Sequence, residues 1–284
     1  MKTKFRLKPR AEQKVVRFFL YFLTSVAILV LVFILVVILK NGLPQLSLEF
    51  LTKNPAHMGK EGGIFSTIVA TIYLTFIALL VATPLGVGTA IYLTEYTFEG
   101  KVTRIIRFGA ECLAGIPSII FGLFGFILFV TKLKFGWSIL SGGLTLAFMV
   151  LPTIIRTSEE AIKSVPAAYR LVSYSLGSTR WQTVTRVVLP SAAPGIVTGV
   201  ILSIGRSIGE TAAVIFTAGS ALRLPSSIFS SARTMSVHFY ILAREGISMS
   251  KAYGTAAVLV IAILLINIVT YYLMSKYISR TSPE

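Results

Sequence analysis

Cysteine and histidine are almost missing from this sequence: Cys112 stands alone, and His57 and His238 are the two histidines in 284 residues. A single thiol closes no internal disulfide, and no Cys/His spacing suits a metal. The two histidines are isolated and read as ordinary loop residues. Charge is scarce too, at 13% of residues against a soluble-protein norm of about 25%. No G-x-x-x-x-G-K-[ST] phosphate loop occurs, so the chain has no ATP-binding module of that type. A nucleophile–base–acid constellation is also lacking, which argues against an enzyme. Low-complexity tracts and usable internal repeats are not found, and no A-x-A cleavage site follows the first apolar run.

What fills the chain is apolar: 55% of residues are hydrophobic and the mean hydropathy is +0.81. A soluble domain of this size could not hide so much apolar surface, so the composition implies a multi-pass membrane protein. The net charge of +16 would suggest nucleic acid in a soluble protein, but no basic, aromatic soluble module is present to bind it. A bilayer core of about 30 Å needs about 20 apolar residues per helix. Six stretches qualify, at roughly 18–39, 64–93, 113–131, 137–155, 195–219 and 254–274. The expected fold is therefore all-α and integral to the membrane, with six transmembrane helices. Pro84, Gly86 and Gly88 predict a kink in the second. The first run, Phe18 to Leu39, is too long for a signal peptide and reads as an uncleaved span.

Orientation follows from the basic residues. Lys2, Lys4, Arg6, Lys8, Arg10, Lys14 and Arg17 precede the first span. With the N-terminus inside, cytoplasmic segments hold 17 basic residues and external ones 9, which puts both termini in the cytoplasm. The chain then divides into a basic N-terminus (1–17), a first helix with its external loop (18–61), a transmembrane core (62–275) and a tail (276–284). The core includes a long cytoplasmic loop at 156–194. An external connection at 220–253 has room for a short helix or re-entrant piece, but not a seventh span.

Two regions carry the functional signal. In the cytoplasmic loop, Ala168, Leu171, Val172, Ser175 and Leu176 form a short amphipathic stretch that Gly177 should end, because glycine accepts the left-handed C-cap conformation. Arg180 to Val188 reads as a second short helix stopped by Pro190. Such an elbow either rests on anionic lipid or docks a cytoplasmic protein. In the fifth predicted span, Arg206 falls near the middle of a largely apolar 25-residue stretch. A central arginine costs about 2.5–3.5 kcal/mol on insertion scales and must face protein or water. Glu210, four residues on, is expected on the same helical face. The pair either neutralise each other or form an anion station whose guanidinium fork grips oxyanion oxygens. Gly195 with Gly199, and Gly205 with Gly209, are small-xxx-small pairs that let a helix approach closely.

The spacing from Gly177 through nine residues to Val187-Val188-Leu189-Pro190 resembles the EAA loop of ABC-importer permeases. Leu171, Val172 and Ser173 occupy the E-A-A positions, so the family's glutamate is absent. The string Ile204-Gly205-Arg206-Ser207-Ile208-Gly209-Glu210-Thr211-Ala212 resembles the R-x-x-G-E-T-A segment of phosphate-specific ABC transporter permeases of the PstA type. So do Gly115-Ile116-Pro117-Ser118-Ile119-Ile120-Phe121-Gly122-Leu123, Thr83-Pro84-Leu85-Gly86-Val87-Gly88 and Tyr92-Leu93-Thr94-Glu95-Tyr96. Together they cover roughly residues 62–275. The resemblance implies the MetI-like ABC-importer permease fold in a bacterial plasma membrane and inward passage of phosphate along a path shared with a PstC-like second permease. It implies Arg206, Glu210 and Thr211 in translocation, and Leu171, Val172, Ser173, Gly177, Val187, Leu189 and Pro190 in coupling. It further implies two partner ATPase subunits that bind the ATP and Mg, and an external phosphate-binding protein. Sulfate and molybdate permeases share R-x-x-G-E but continue F-G-A; Thr211-Ala212-Ala213 favours phosphate. An ATP-independent anion transporter would not need the elbow, and a scaffold or sensor would not need Arg206.

Overall fold

The computed structural model describes residues 9–98 and 100–281. Lys2, Lys4, Arg6 and Lys8 of the basic N-terminus and the last three residues of the tail lie outside that range. Twelve α-helices follow in order among the described residues: α1 (Pro9–Gly42), α2 (Leu48–Thr52), α3 (Phe65–Ile91), α4 (Lys101–Ala114), α5 (Ser118–Gly125), α6 (Ile139–Ser164), α7 (Ala167–Ser175), α8 (Arg180–Thr183), α9 (Leu189–Gly209), α10 (Ala212–Thr217), α11 (Met235–Arg244) and α12 (Met249–Thr281). A two-residue hairpin, β1 (Pro55–Ala56) with β2 (Glu61–Gly62), pairs antiparallel before α3.

Among the described residues five helical runs are long and apolar enough to cross a bilayer, and six if a pair bent by 103° is one span. That pair is α4 and α5; α5 with its continuation to Lys132 falls where the third span is expected, at 113–131, and α4 precedes it across the bend. Pro117 ends one helix and starts the next, because its ring pushes Ile116 out of the helical region and it donates no N–H. Beyond the bend, α5 continues as a π-helical segment, Phe126–Lys132. The second span passes unbroken through Pro84 and ends in a π turn, Tyr92–Tyr96. The fourth runs to Ser164, nine residues past the expected end at 155. Its start is capped by Ser138, whose hydroxyl accepts from the Ser141 N–H at 3.1 Å.

The core is built around α6, the most buried of the spanning helices. Leu146, Met149, Val150 and Ile154 on α6 pack against Ala70, Leu74, Ala78 and Ala82 on α3 and Val214 on α10. Glycine makes these crossings close: a Cβ on Gly142 would meet Leu74, one on Gly143 would meet Ile77, and one on Gly86 would meet Ile154. The expected pair Gly195 and Gly199 behaves the same way, since added Cβ atoms would strike Ala161 and Thr157 of α6. By contrast, Gly205 and Gly209 face open space, with nothing within 4 Å. Helix α1 stands outside the core with its apolar residues exposed; at its end Gly42 lies against Tyr253 and Ala257 of α12.

The fifth span differs most from expectation. Its helical run starts at Arg180 and ends at Gly209, not at 195 and 219. Pro190 does not stop it, because residues Val184–Val188 form a π turn. There the Leu189 N–H reaches back to the Val184 carbonyl, and the widened turn makes room for a ring that would otherwise meet the carbonyl of Arg186. Overpacking a tight helix crossing typically costs about 1–3 kcal/mol. Gly199→Leu is therefore expected to lower the thermal midpoint of the purified chain in detergent, and Gly205→Leu to leave it near the parental value. Equal midpoints would refute the close α6–α9 seam.

Candidate functional site

The elbow forms as its residues dictate. Helix α7 ends at Gly177, whose φ of +80° is left-handed. There the Gly177 N–H bonds the Tyr174 carbonyl at 2.9 Å and the Ser178 N–H bonds the Ser173 carbonyl at 3.2 Å, a Schellman closure. Thr179 and Gln182 make a reciprocal capping box that starts α8. The two arms are pinned by a buried hydroxyl contact, Ser173 Oγ to Thr183 Oγ1 at 2.9 Å. Among the E-A-A positions, Ser173 thus points inward, whereas Leu171 is 66% and Val172 61% exposed. Leu176 and Trp181 are exposed as well. Val187 and Leu189 are half-buried and Pro190 is exposed, all three on the helical run that leads into α9.

One anchoring pair had no role assigned to it from the sequence. Glu95, buried in the π turn after α3, receives Arg170 Nη2 at 2.7 Å and Nε at 3.1 Å. Arg170 also donates to the carbonyls of Val165 at 2.8 Å and Ile162 at 3.0 Å, so its fork ties the elbow to the ends of two spans, α3 and α6. Glu159 of α6 similarly accepts Arg107 of α4 at 2.7 Å and Lys163 at 2.6 Å. The string Tyr92 to Tyr96 was the available signal for Glu95, but its partner is 75 residues away, beyond the reach of local spacing.

At the other end of α9 the expected Arg206–Glu210 helical pair is not present. The helix stops at Gly209, and Glu210 is extended (φ −72°, ψ 128°). Its carboxylate accepts the Ala213 N–H at 3.3 Å, and its carbonyl accepts the Ser236 hydroxyl at 2.7 Å. Glu210 therefore caps the next short helix and links the break to α11. Arg206 sits in the last turn of α9, not at mid-span, and is exposed. No described carboxylate lies within ion-pair distance of it. Mutual neutralisation is thus excluded, and the guanidinium is open. Apolar periodicity carries on through 217, so composition did not reveal the break. Beyond it Thr211 opens onto a cavity of about 1040 Å³ that also touches Tyr240 and Arg244.

The histidines divide. His57 is an exposed turn residue, as expected. His238 is not a loop residue: it lies on α11, 1% exposed, beneath Gly59. Burial, reinforced by Arg233, lowers its pKa to about 4, so it stays neutral near pH 7. No group of three or more metal-ligating side chains occurs among the described residues.

Comparison with known proteins agrees with this architecture. The family described as binding-protein-dependent transport system inner membrane component matches residues 82–282. A probable ABC transporter permease protein, YqgI of Bacillus subtilis, is 39% identical over 87% of this chain and 89% of its own length. The phosphate transport system permease protein PstA 1 of Mycobacterium tuberculosis is 35% identical over 73% of this chain and 69% of its own. Among solved structures, a chain of the bacterial alginate ABC transporter in complex with its alginate pentasaccharide-bound periplasmic protein matches with a TM-score of 0.67, at 16% identity over 98% of this chain and 100% of that one. A chain of the inward-facing MetNI methionine ABC transporter matches with a TM-score of 0.60, at 21% identity over 76% and 94%. The chain therefore belongs to the binding-protein-dependent transport system inner membrane components, the permease family of ABC importers.

Proposed function

We propose that this chain is a PstA-type permease subunit of an ATP-driven importer of inorganic phosphate. It forms the translocation path with a PstC-like second permease, with both termini in the cytoplasm. An external phosphate-binding protein delivers the anion, and two cytoplasmic ATPase subunits bind ATP and Mg. The chain itself hydrolyses nothing. The observation that carries this reading is the open Arg206, left unpaired where α9 breaks at Gly209, in a chain related to phosphate transport permeases. A guanidinium offers a fork of N–H donors that fits tetrahedral oxyanions. Glu210 and Thr211 flank it without cancelling its charge, so the site can bind and release. Gly205 and Gly209, bare on the same stretch, supply the surface that the second permease approaches.

Coupling runs through the opposite end of the same helical run. The exposed Leu171, Val172 and Leu176 offer an apolar ridge to an ATPase subunit. Pressure there passes through Gly177, the Ser173–Thr183 contact and the π turn at Val187 into Leu189, Pro190 and α9. Arg170 and Glu95 brace the elbow against α3.

The test is ATP-dependent uptake of labelled phosphate into proteoliposomes that hold the assembled complex and external binding protein. Uptake is expected to be lost in Arg206→Ala and reduced in Arg206→Lys, which keeps charge without the fork, with sulfate a poor competitor. Strong competition by sulfate or molybdate would reassign the substrate, and uptake that follows ion gradients without ATP would reassign the class. For coupling, Gly177→Val should depress transport and ATPase stimulation together, because a left-handed residue of that kind costs about 1–2 kcal/mol. Gly177→Asn, which tolerates the conformation, should retain most of both. Leu171→Asp should also uncouple ATPase from transport while the chain still inserts. Unchanged coupling in both Gly177→Val and Leu171→Asp would remove the elbow from the mechanism.

A further inference from the structure

The outer segment 220–253, which runs into the first turn of α12, carries four basic residues, Arg223, Arg233, Arg244 and Lys251, in different surroundings. Lys251 donates to the Gly62 carbonyl at 3.1 Å and lies over the Phe50 ring. Arg233 is buried at 5% exposure, donates to the Ser220 carbonyl at 2.9 Å and interacts with Glu245. Arg223 is exposed. Arg244 differs from all three. It ends α11, its Nη1 donates to the Tyr240 hydroxyl at 2.8 Å, and its guanidinium lies 5.5 Å from the centre of the same ring.

Tyrosine therefore fixes the arginine without neutralising it, and no described carboxylate lies within ion-pair distance of Arg244. Of the five N–H donors on a guanidinium, most remain available. They border the cavity of about 1040 Å³, whose wall is largely apolar side chains of α5 and α10 and whose polar groups include Thr211, Ser220, Ser231 and Tyr240. A single sign of charge in a low-dielectric cleft focuses the field and concentrates counter-ions. The volume exceeds what one small anion fills, which suits a vestibule for a hydrated anion rather than a tight pocket. Thr211, at the α9 break, lines the same cavity, so one continuous space joins Arg244 to the segment beside Arg206.

We infer that Arg244, braced by Tyr240, is an outer capture site that holds a small tetrahedral oxyanion in this cavity before it passes to Arg206. The inference rests on the oxyanion-import reading and adds a second arginine and a waiting position to it.

The test uses the assembled complex in proteoliposomes, with Cys112→Ser removing the native thiol and Ser220→Cys as reporter; Ser231→Cys is a second reporter on the same wall. Rates of modification by an anionic and a cationic methanethiosulfonate are read by mass spectrometry of this chain, with and without inorganic phosphate or sulfate. With Arg244 present the anionic reagent should be favoured by about tenfold, and phosphate should slow it. Arg244→Gln should bring the two rates together and abolish protection, while Arg244→Lys should keep the preference but weaken protection. The same preference and protection in Arg244→Gln overturns the capture site, and so does unreactivity at both reporters. Protection by sulfate instead of phosphate keeps the site and changes the substrate. Absent phosphate uptake with Arg244-dependent protection intact sinks the transport assignment alone; normal uptake with protection indifferent to Arg244 sinks this inference alone.

Discussion

Helices in a bilayer gain little by burying apolar side chains from one another, because the lipid is equally apolar; what holds them is close backbone approach. In this chain that constraint is met along α6. Gly142 and Gly143 admit Leu74 and Ile77 of α3, Gly86 of α3 admits Ile154, and Gly195 and Gly199 of α9 admit Ala161 and Thr157. Helix α6 thus becomes the fixed post against which the second and fifth spans are set. Each candidate functional feature lies at an end of those helices: the elbow and its Glu95–Arg170 brace at one end, the α9 break and Arg206 at the other.

The break at Gly209 changes what the arginine means. In a continuous helix Arg206 and Glu210 would face each other, and the charge would be spent within the chain. Here the glutamate is extended, caps α10 through the Ala213 N–H and binds Ser236 through its carbonyl. The carboxylate is thereby occupied and the guanidinium is left over. An uncompensated cation is tolerable because it stands in the last turn of α9 beside open space, and not at the centre of an apolar span where its cost would be greatest. The same geometry gives Thr211 a different neighbourhood, the cavity bordered by Tyr240 and Arg244.

The elbow shows the reverse case, in which local chemistry predicts local structure well. Gly177 at the C-cap and the Thr179–Gln182 box both act over a few residues, and a reader of the string finds them. What the string does not disclose is which side of α7 is presented. Ser173 turns in to Thr183 while Leu171 and Val172 turn out, and that choice is made by packing against α8 and by Arg170 reaching Glu95.

Much of the architecture is therefore legible in the amino-acid order alone. Spans declare themselves by length and hydropathy, because a lipid core about 30 Å thick accepts little else. Turns declare themselves through glycine and through short-range caps. The small-residue spacing of Gly195 and Gly199 is readable for the same reason, although the identical spacing of Gly205 and Gly209 packs against nothing among the described residues. Tertiary structure alone decided that Pro190 passes through a helix by way of a π turn, that the α4–α5 pair bends by 103° at Pro117, and that His238 is buried on a helix. It also decided that Arg206 and Glu210 part company, since Glu210 finds Ser236 26 residues along the chain. Such outcomes depend on partners brought together by packing, and periodicity within one segment contains no record of them.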